Sequence, residues 1–449
     1  MPIVLSLTGQ IDLGERRLSR TEARDWLAGA AVWFESVGDA VLDARVLRDP
    51  DDRPILFAAL HPSPPPLELR LGATGKIRVT ATTTPAGPGY HQHLCEILRQ
   101  LATDFDFSWV ADDCSDPTQF FSTRNRNILE NAFLRWLGTA CQGQPGSVGL
   151  PTPHGYTYPA EVLTPLGPRL HAWTTAVATE PHRGGDFFTW WEPGLNSQFY
   201  RNRALVRLWC DFPWRPPLTD HEGEVADQIA NDLATAFKLD PAGELPWAEW
   251  LELLEAIQAD NEGFCVTPND SVLSVELWKR AGPIPKTNSP GEPTQRVSPL
   301  GYRRYPIRVQ LDGGWSVQVP GDFAQEWDHE RNWTAWNRSR TVWFRRVGFT
   351  KPGGLAPTAS EVLEVGRRSL PEGEVVGGIN RGDICGSAVF GAVEEEGRQV
   401  WRLSGVAGAP GQLAICHVYV EDATDRDWAT QTWQSLNYQI TRTEASERP

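Results

Sequence analysis

Residues 3–11 (IVLSLTGQI) alternate apolar and polar side chains, the period of a strand with one buried face. Residues 19–37 read as a helix, with Ser19, Arg20, Thr21 and Glu22 supplying the hydroxyls and carboxylate of an N-terminal cap. Four strand-like runs follow, AVLDARVL, PILFAAL, LELRLG and KIRVTATTT, separated by Asp, Pro and Gly turns. A helix is expected over 91–103, where Leu94, Ile97, Leu98 and Leu101 share a face. Another is expected over 124–140, where Ile128, Leu129, Phe133, Trp136 and Leu137 recur at helical spacing. These elements predict an α+β domain at 1–142.

Beyond a Pro-rich and aromatic stretch the pattern turns helical, first at 196–209. The next helix opens on Thr219, Asp220, His221 and Glu222, a capping box, and carries Val225, Ile229, Leu233 and Phe237 along one stripe. A third starts at Pro246, a residue suited to a first helical turn, and directs Trp247, Trp250, Leu251, Leu254 and Ile257 inward. Together they predict a mainly helical domain at 150–281. The stretch GPIPKTNSPGEPTQRVSP, five prolines and two glycines without apolar periodicity, predicts a linker at 282–300. Strands are then expected at 305–311, 315–319 and 341–349, the last reached through a Trp-rich excursion. A helix over 359–370 follows, then strands near 374–378, 386–393, 399–406 and 412–420, and a closing helix over 425–436 with Trp428, Thr432 and Trp433 on one face. That order predicts an antiparallel sheet with helical cover at 301–440. The fold class is α+β, in three domains.

A chain of 449 residues exceeds one ordinary core, since domains run to about 100–200 residues. Apolar residues at 40% and charged residues at 22% suit a folded chain and exclude wholesale disorder. The opening residues MPIVLSLTGQIDLGERR lack the basic n-region and cleavage site of a secretory leader. No run approaches the roughly 18 consecutive apolar residues of a membrane helix. Cys95, Cys114, Cys141, Cys210, Cys265, Cys385 and Cys416 form no CxxC pair, so reduced thiols and a cytoplasmic location are expected. The net charge of −15 argues against a general nucleic-acid binder, which needs lysine and arginine to neutralise phosphates. Twelve acidic residues against one lysine between Asp220 and Glu262 give an acidic helical face. Twenty tryptophans suggest aromatic-rich packing and a recognition surface.

The run Gly87 to Cys95 (GPGYHQHLC) presents His91, His93 and Cys95, side chains that ligate zinc. Residues two apart diverge on a helix, and no second cluster completes four ligands, so neither metal nor cofactor is expected. His221 beside Glu222 and Glu224 suggests an acid–base pair, yet the capping box accounts for the same residues. His154, His171 and His182 lie in loop-like aromatic sequence. No GxSxG elbow, Walker loop or HExxH helix is present. Residues 326–346 interleave tryptophans with arginines, and Trp327, Trp333, Trp336, Arg338, Arg340 and Trp343 are the candidate partner-binding residues.

The segments GGWSVQVPGDF, near the start of the last domain, and WQSL, at the end of its final helix, give residues 301–440 a resemblance to Mog1/PsbP-like domains, including the DcrB-type branch. The resemblance implies a twisted sheet flanked by a central and a terminal helix, and a non-enzymatic binding role. The leading expectation is a cytoplasmic, bacterial binding or adaptor protein that engages a protein partner, compatible with a homo-oligomer and without a membrane partner. One alternative is a hydrolase with His91, His93, His154 or His221 between the first two domains. Another is single-stranded nucleic acid or glycan binding by the carboxy-terminal tryptophans.

Overall fold

A computed structural model describes residues 2–37, 40–49, 51–143, 146–150, 152, 154–258, 271–281, 299–395 and 397–439. The expected linker, apart from its last two residues, lies outside them, as does Cys265. Along the chain the architecture is α+β in three segments: a mixed α+β amino-terminal part, a mostly helical middle, and a carboxy-terminal antiparallel sheet flanked by helices.

The first segment comprises β1 (Val4–Gln10), α1 (Arg20–Ser36), β2 (Asp43–Arg48), β3 (Pro54–Ala59), β4 (Leu67–Leu71), β5 (Lys76–Thr82), α2 (Pro88–Asp104), β6 (Ser108–Trp109), α3 (Phe120–Thr123) and α4 (Arg126–Cys141). Its six strands form one antiparallel sheet in the order β2-β3-β4-β5-β1-β6. Alternation buries Leu5 and Leu7 of β1 beside Val79 and Ala81 of β5, and α1 lays Leu27, Ala30 and Phe34 over the same core. The α1 cap is the one expected: the Ser19 hydroxyl accepts from the Glu22 amide at 3.2 Å, and the Glu22 carboxylate accepts from the Ser19 amide at 2.8 Å. Helix α2 starts three residues earlier than apolar spacing indicates. Pro88 occupies its first turn, and Gly87 before it adopts φ 116°, a conformation open to glycine.

The middle segment comprises β7 (His154–Tyr156), β8 (Val162–Thr164), β9 (Gly167–Arg169), α5 (His171–Thr179), α6 (Ser197–Cys210), α7 (Asp220–Leu239), α8 (Trp247–Gln258) and α9 (Ser271–Ala281). The last comprises β10 (Ile307–Gln310), β11 (Trp315–Val319), β12 (Ala324–Trp327), β13 (Trp333–Trp336), β14 (Arg340–Gly348), α10 (Ala359–Arg367), β15 (Glu374–Arg381), β16 (Ile384–Glu395), β17 (Arg398–Ala409), β18 (Gln412–Val420), α11 (Arg426–Gln434) and β19 (Asn437–Tyr438). By compactness the chain forms two units: residues 1–151, 159–212 and 224–301 in one, and 152–158, 213–223 and 302–449 in the other.

In the second unit a seven-stranded antiparallel sheet runs β12-β13-β14-β18-β17-β16-β15, and a four-stranded sheet runs β19-β11-β10-β7. The Trp-rich excursion of the sequence is therefore the hairpin β12–β13, added at one edge. Period-two alternation assigns Val342, Phe344, Cys416, Val418 and Leu403 to the inner face, where Trp333, Trp433 and Ala429 complete the core. The outer face carries α10, whose Val362 and Leu363 pack on Val406 and Leu413. Gly408 makes this approach feasible, because a Cβ there would lie 2.2 Å from the Ala359 carbonyl oxygen. At nine residues α10 is roughly 13 Å long, whereas the twelve-residue β17 spans about 40 Å. Much of the outer face is left uncovered.

Candidate functional site

The uncovered part of that outer face is an open groove of about 490 Å³. Its walls come from Thr334 on β13, the Asn337–Ser339 turn, Trp343 on β14, and His417 and Tyr419 on β18. Register explains why these side chains meet. Thr334 pairs with Trp343, Trp343 with His417, and His417 with Ser404 of β17, so the four stand in one row across the sheet. Thr341, Tyr419 and Arg402 form the next row.

Trp343 and His417 stack with centroids 5.3 Å apart and planes 19° from parallel. Tyr419 meets His417 edge-on at 6.3 Å, and the Arg402 guanidinium lies 5.9 Å from the Tyr419 ring centroid. Burial, reinforced by the Arg402 charge, pushes the His417 imidazole down to about 4, so it is neutral at physiological pH. Burial also raises the Tyr419 phenol, with Glu395 adding to the rise and Arg402 opposing it. The groove thus presents aromatic edges, hydroxyls and an amide, with the carboxylates of Glu395 and Glu421 and the exposed Arg338 also lining it.

The six candidate residues occupy unlike places. Trp343 and Arg338 line the groove. Trp336, paired with Thr341, lies half-buried on the same outer face. Trp333 is fully buried and belongs to the core, and Trp327 opposite it on β12 is 47% exposed. Arg340 touches the groove but directs its guanidinium elsewhere. Nε and Nη2 donate to the two Asp425 carboxylate oxygens at 2.9 and 2.7 Å, and the group lies 4.5 Å from the Trp428 ring centroid. It is a strut between β14 and the start of α11. Of the other arginines in this stretch, Arg345 pairs with Glu330 and Arg346 with Asp312.

His417 and Tyr419 escaped sequence reasoning, although AICHVYV alternates and assigns them a common face. Their meeting with Trp343 depends on the β14–β18 pairing, which no local pattern encodes. The histidines considered for acid–base chemistry are scattered. His91 is fully buried, and His93 is packed on Trp190 at 4.9 Å. His154 lies on β7 and is held near 3 by burial and the Arg303 charge. Glu222, the neighbour of His221, is bound to Arg215 and caps its helix through the Leu218 amide.

No protein-family model matches the chain, and no curated protein matches it. Solved structures that resemble parts of it include the following two. A protein from Bacteroides thetaiotaomicron VPI-5482 matches 30% of this chain and 48% of its own at 14% identity, with a TM-score of 0.24. Cyanobacterial PsbP (CyanoP) from Synechocystis sp. PCC 6803 matches 34% of this chain and 99% of its own at 11% identity, with a TM-score of 0.17. The likeness to PsbP-type folds is partial, and at these scores neither protein assigns this chain a function. No helix among the described residues is long and apolar enough to cross a membrane.

Proposed function

We propose that the protein is a cytoplasmic, non-enzymatic binding or adaptor protein whose second unit engages a protein partner through the outer-face groove. The observation that carries this reading is the row Thr334–Trp343–His417, flanked by Tyr419 and rimmed by Arg338, on a sheet face that α10 leaves open. Aromatic rings held rigid by stacking lose little entropy when a partner covers them, and arginine beside them adds directional donors. The described cysteines are free thiols, in keeping with a reducing compartment. The net charge of −15 disfavours a nucleic-acid partner.

A photoreactive phenylalanine analogue at position 338 tests the reading in cells that make the full chain. A discrete protein adduct is expected, and it should disappear when Trp343→Ala and Tyr419→Ala are combined. A variant carrying the analogue at Val32, which is 66% exposed in the first unit, should not yield that adduct. If position 338 gives no adduct, or one that survives the double substitution, the groove is not the partner surface.

A further inference from the structure

In the first unit, His91 and Cys95 stand one turn apart on α2, the spacing at which helical side chains converge. Asp116, in the loop before α3, completes a trio whose ligand-type atoms all lie within 4.8 Å of one another. His91 and Cys95 are fully buried, and the Asp116 side chain is 6% exposed. Oδ1 of Asp116 accepts from the amide and hydroxyl of Thr118 at 2.8 and 2.7 Å, Oδ2 accepts from the Phe121 amide at 2.8 Å, and Oδ1 lies 3.4 Å from His91 Nε2. Among the described residues no lysine or arginine forms an ion pair with Asp116. A nitrogen and a sulfur donor thus stand beside a carboxylate in one buried pocket.

We infer that His91, Cys95 and Asp116 bind one divalent metal ion of the zinc class. Nitrogen, thiolate and carboxylate donors suit that ion. One thiolate and one carboxylate also cancel its two positive charges, so the loaded centre is neutral in its buried setting. On binding, the Cys95 thiol releases its proton to solvent as the sulfur–metal bond forms. The imidazole remains neutral: Nε2 takes the metal, and Nδ1 keeps the ring proton and donates it to the Thr83 hydroxyl at 3.0 Å. That hydroxyl in turn faces the Ile3 carbonyl oxygen at 3.4 Å. The HxHxC spacing hid this arrangement, because the third ligand is not His93 but an aspartate 21 positions beyond Cys95.

The test uses the full chain without an affinity tag, stripped with a chelator and titrated with zinc chloride and, separately, cobalt chloride. The expected results are one metal per chain, a Tm raised by zinc, and a near-ultraviolet thiolate-to-cobalt charge-transfer band. Cys95→Ser should abolish the band, Asp116→Asn should weaken zinc binding roughly tenfold or more, and His93→Gln should leave band and stoichiometry unchanged. Folded wild-type protein showing neither the band nor a zinc-dependent Tm would overturn the inference. So would Cys95→Ser protein retaining the full metal stoichiometry.

Discussion

Four imidazoles sit where protonation is disfavoured. Burial acts first in each: His61 with Arg203 and Arg207 adding to it, His93 against an opposing Glu96, His154 beside Arg303, and His417 beside Arg402. Above pH 6.5 both folded and unfolded chains hold these rings neutral, and their contribution to stability is fully present. As pH falls below 6.5 the unfolded chain takes up protons that the folded chain refuses, so stability falls until the folded values, about 4 for His417 and about 3 for His154, are reached. Urea midpoints should therefore decline from pH 6.5 toward pH 4, and His417→Gln should flatten that slope while leaving the midpoint at pH 8 nearly unchanged. Arg340 makes a second residue-scale case. Its fork on Asp425 is partly buried and bidentate, so Arg340→Met should lower unfolding free energy by about 1–3 kcal/mol, and Arg340→Lys should recover only part of that loss. Composition alone assigns Arg340 to a binding surface together with Arg338. What separates them is the direction in which each guanidinium leaves the turn, and that depends on where α11 docks.

At the scale of elements, α10 is what leaves the groove open, and its seat depends on Gly408. A methyl group there meets the Ala359 carbonyl at 2.2 Å and the Leu363 amide nitrogen at 3.0 Å, so Gly408→Ala should lift α10 from β17. The expected loss is about 1–3 kcal/mol, with hydrogen exchange accelerated in α10 and unchanged in α11 on the opposite face. Gly348→Ala, where nothing lies within 4 Å, should be silent in both measurements. The α10 helix was expected from the sequence over 359–370, and in the structure the capping box of Thr358 and Glu361 fixes its start. The same is true of α1, with Ser19 and Glu22. Two features were not legible, the early start of α2 and the hairpin β12–β13. The first hides its apolar signal behind Gly87 and Pro88, and the second sets Trp327 and Trp333 on either side of a polar loop at 328–332. The groove was half legible: Trp343 and Arg338 stand out by composition, but His417 and Tyr419 join them only through strand register, a non-local property.

For the whole molecule, the second unit draws on three stretches of chain, and the two short ones are structural. Strand β7 pairs with β10 through Tyr156, Gly155 and His154, and the Thr157 amide donates to the Pro306 carbonyl. Tyr156 and Tyr158 place their rings 4.9 and 5.3 Å from that of Tyr302, which is fully buried, and Tyr158 also meets Tyr305 at 4.9 Å. From residues 213–223, the Arg215 Nε donates to the Asp322 carbonyl at 2.6 Å, and Trp214 lies under Arg304 at 3.6 Å. Excising residues 302–449 alone removes an edge strand and three ring pairs. The ring pairs alone account for roughly 2–4 kcal/mol, and the bare β10 edge invites pairing between chains. The fragment should therefore show weakened near-ultraviolet circular dichroism, a lower Tm and concentration-dependent aggregation. Joining residues 152–158 through a flexible linker ahead of residue 302 should restore the signal in large part, since β7 then re-forms its pairing with β10 in cis. Identical spectra and Tm for the fragment with and without residues 152–158 would show that the interleaved strand is dispensable and that residues 302–449 fold by themselves.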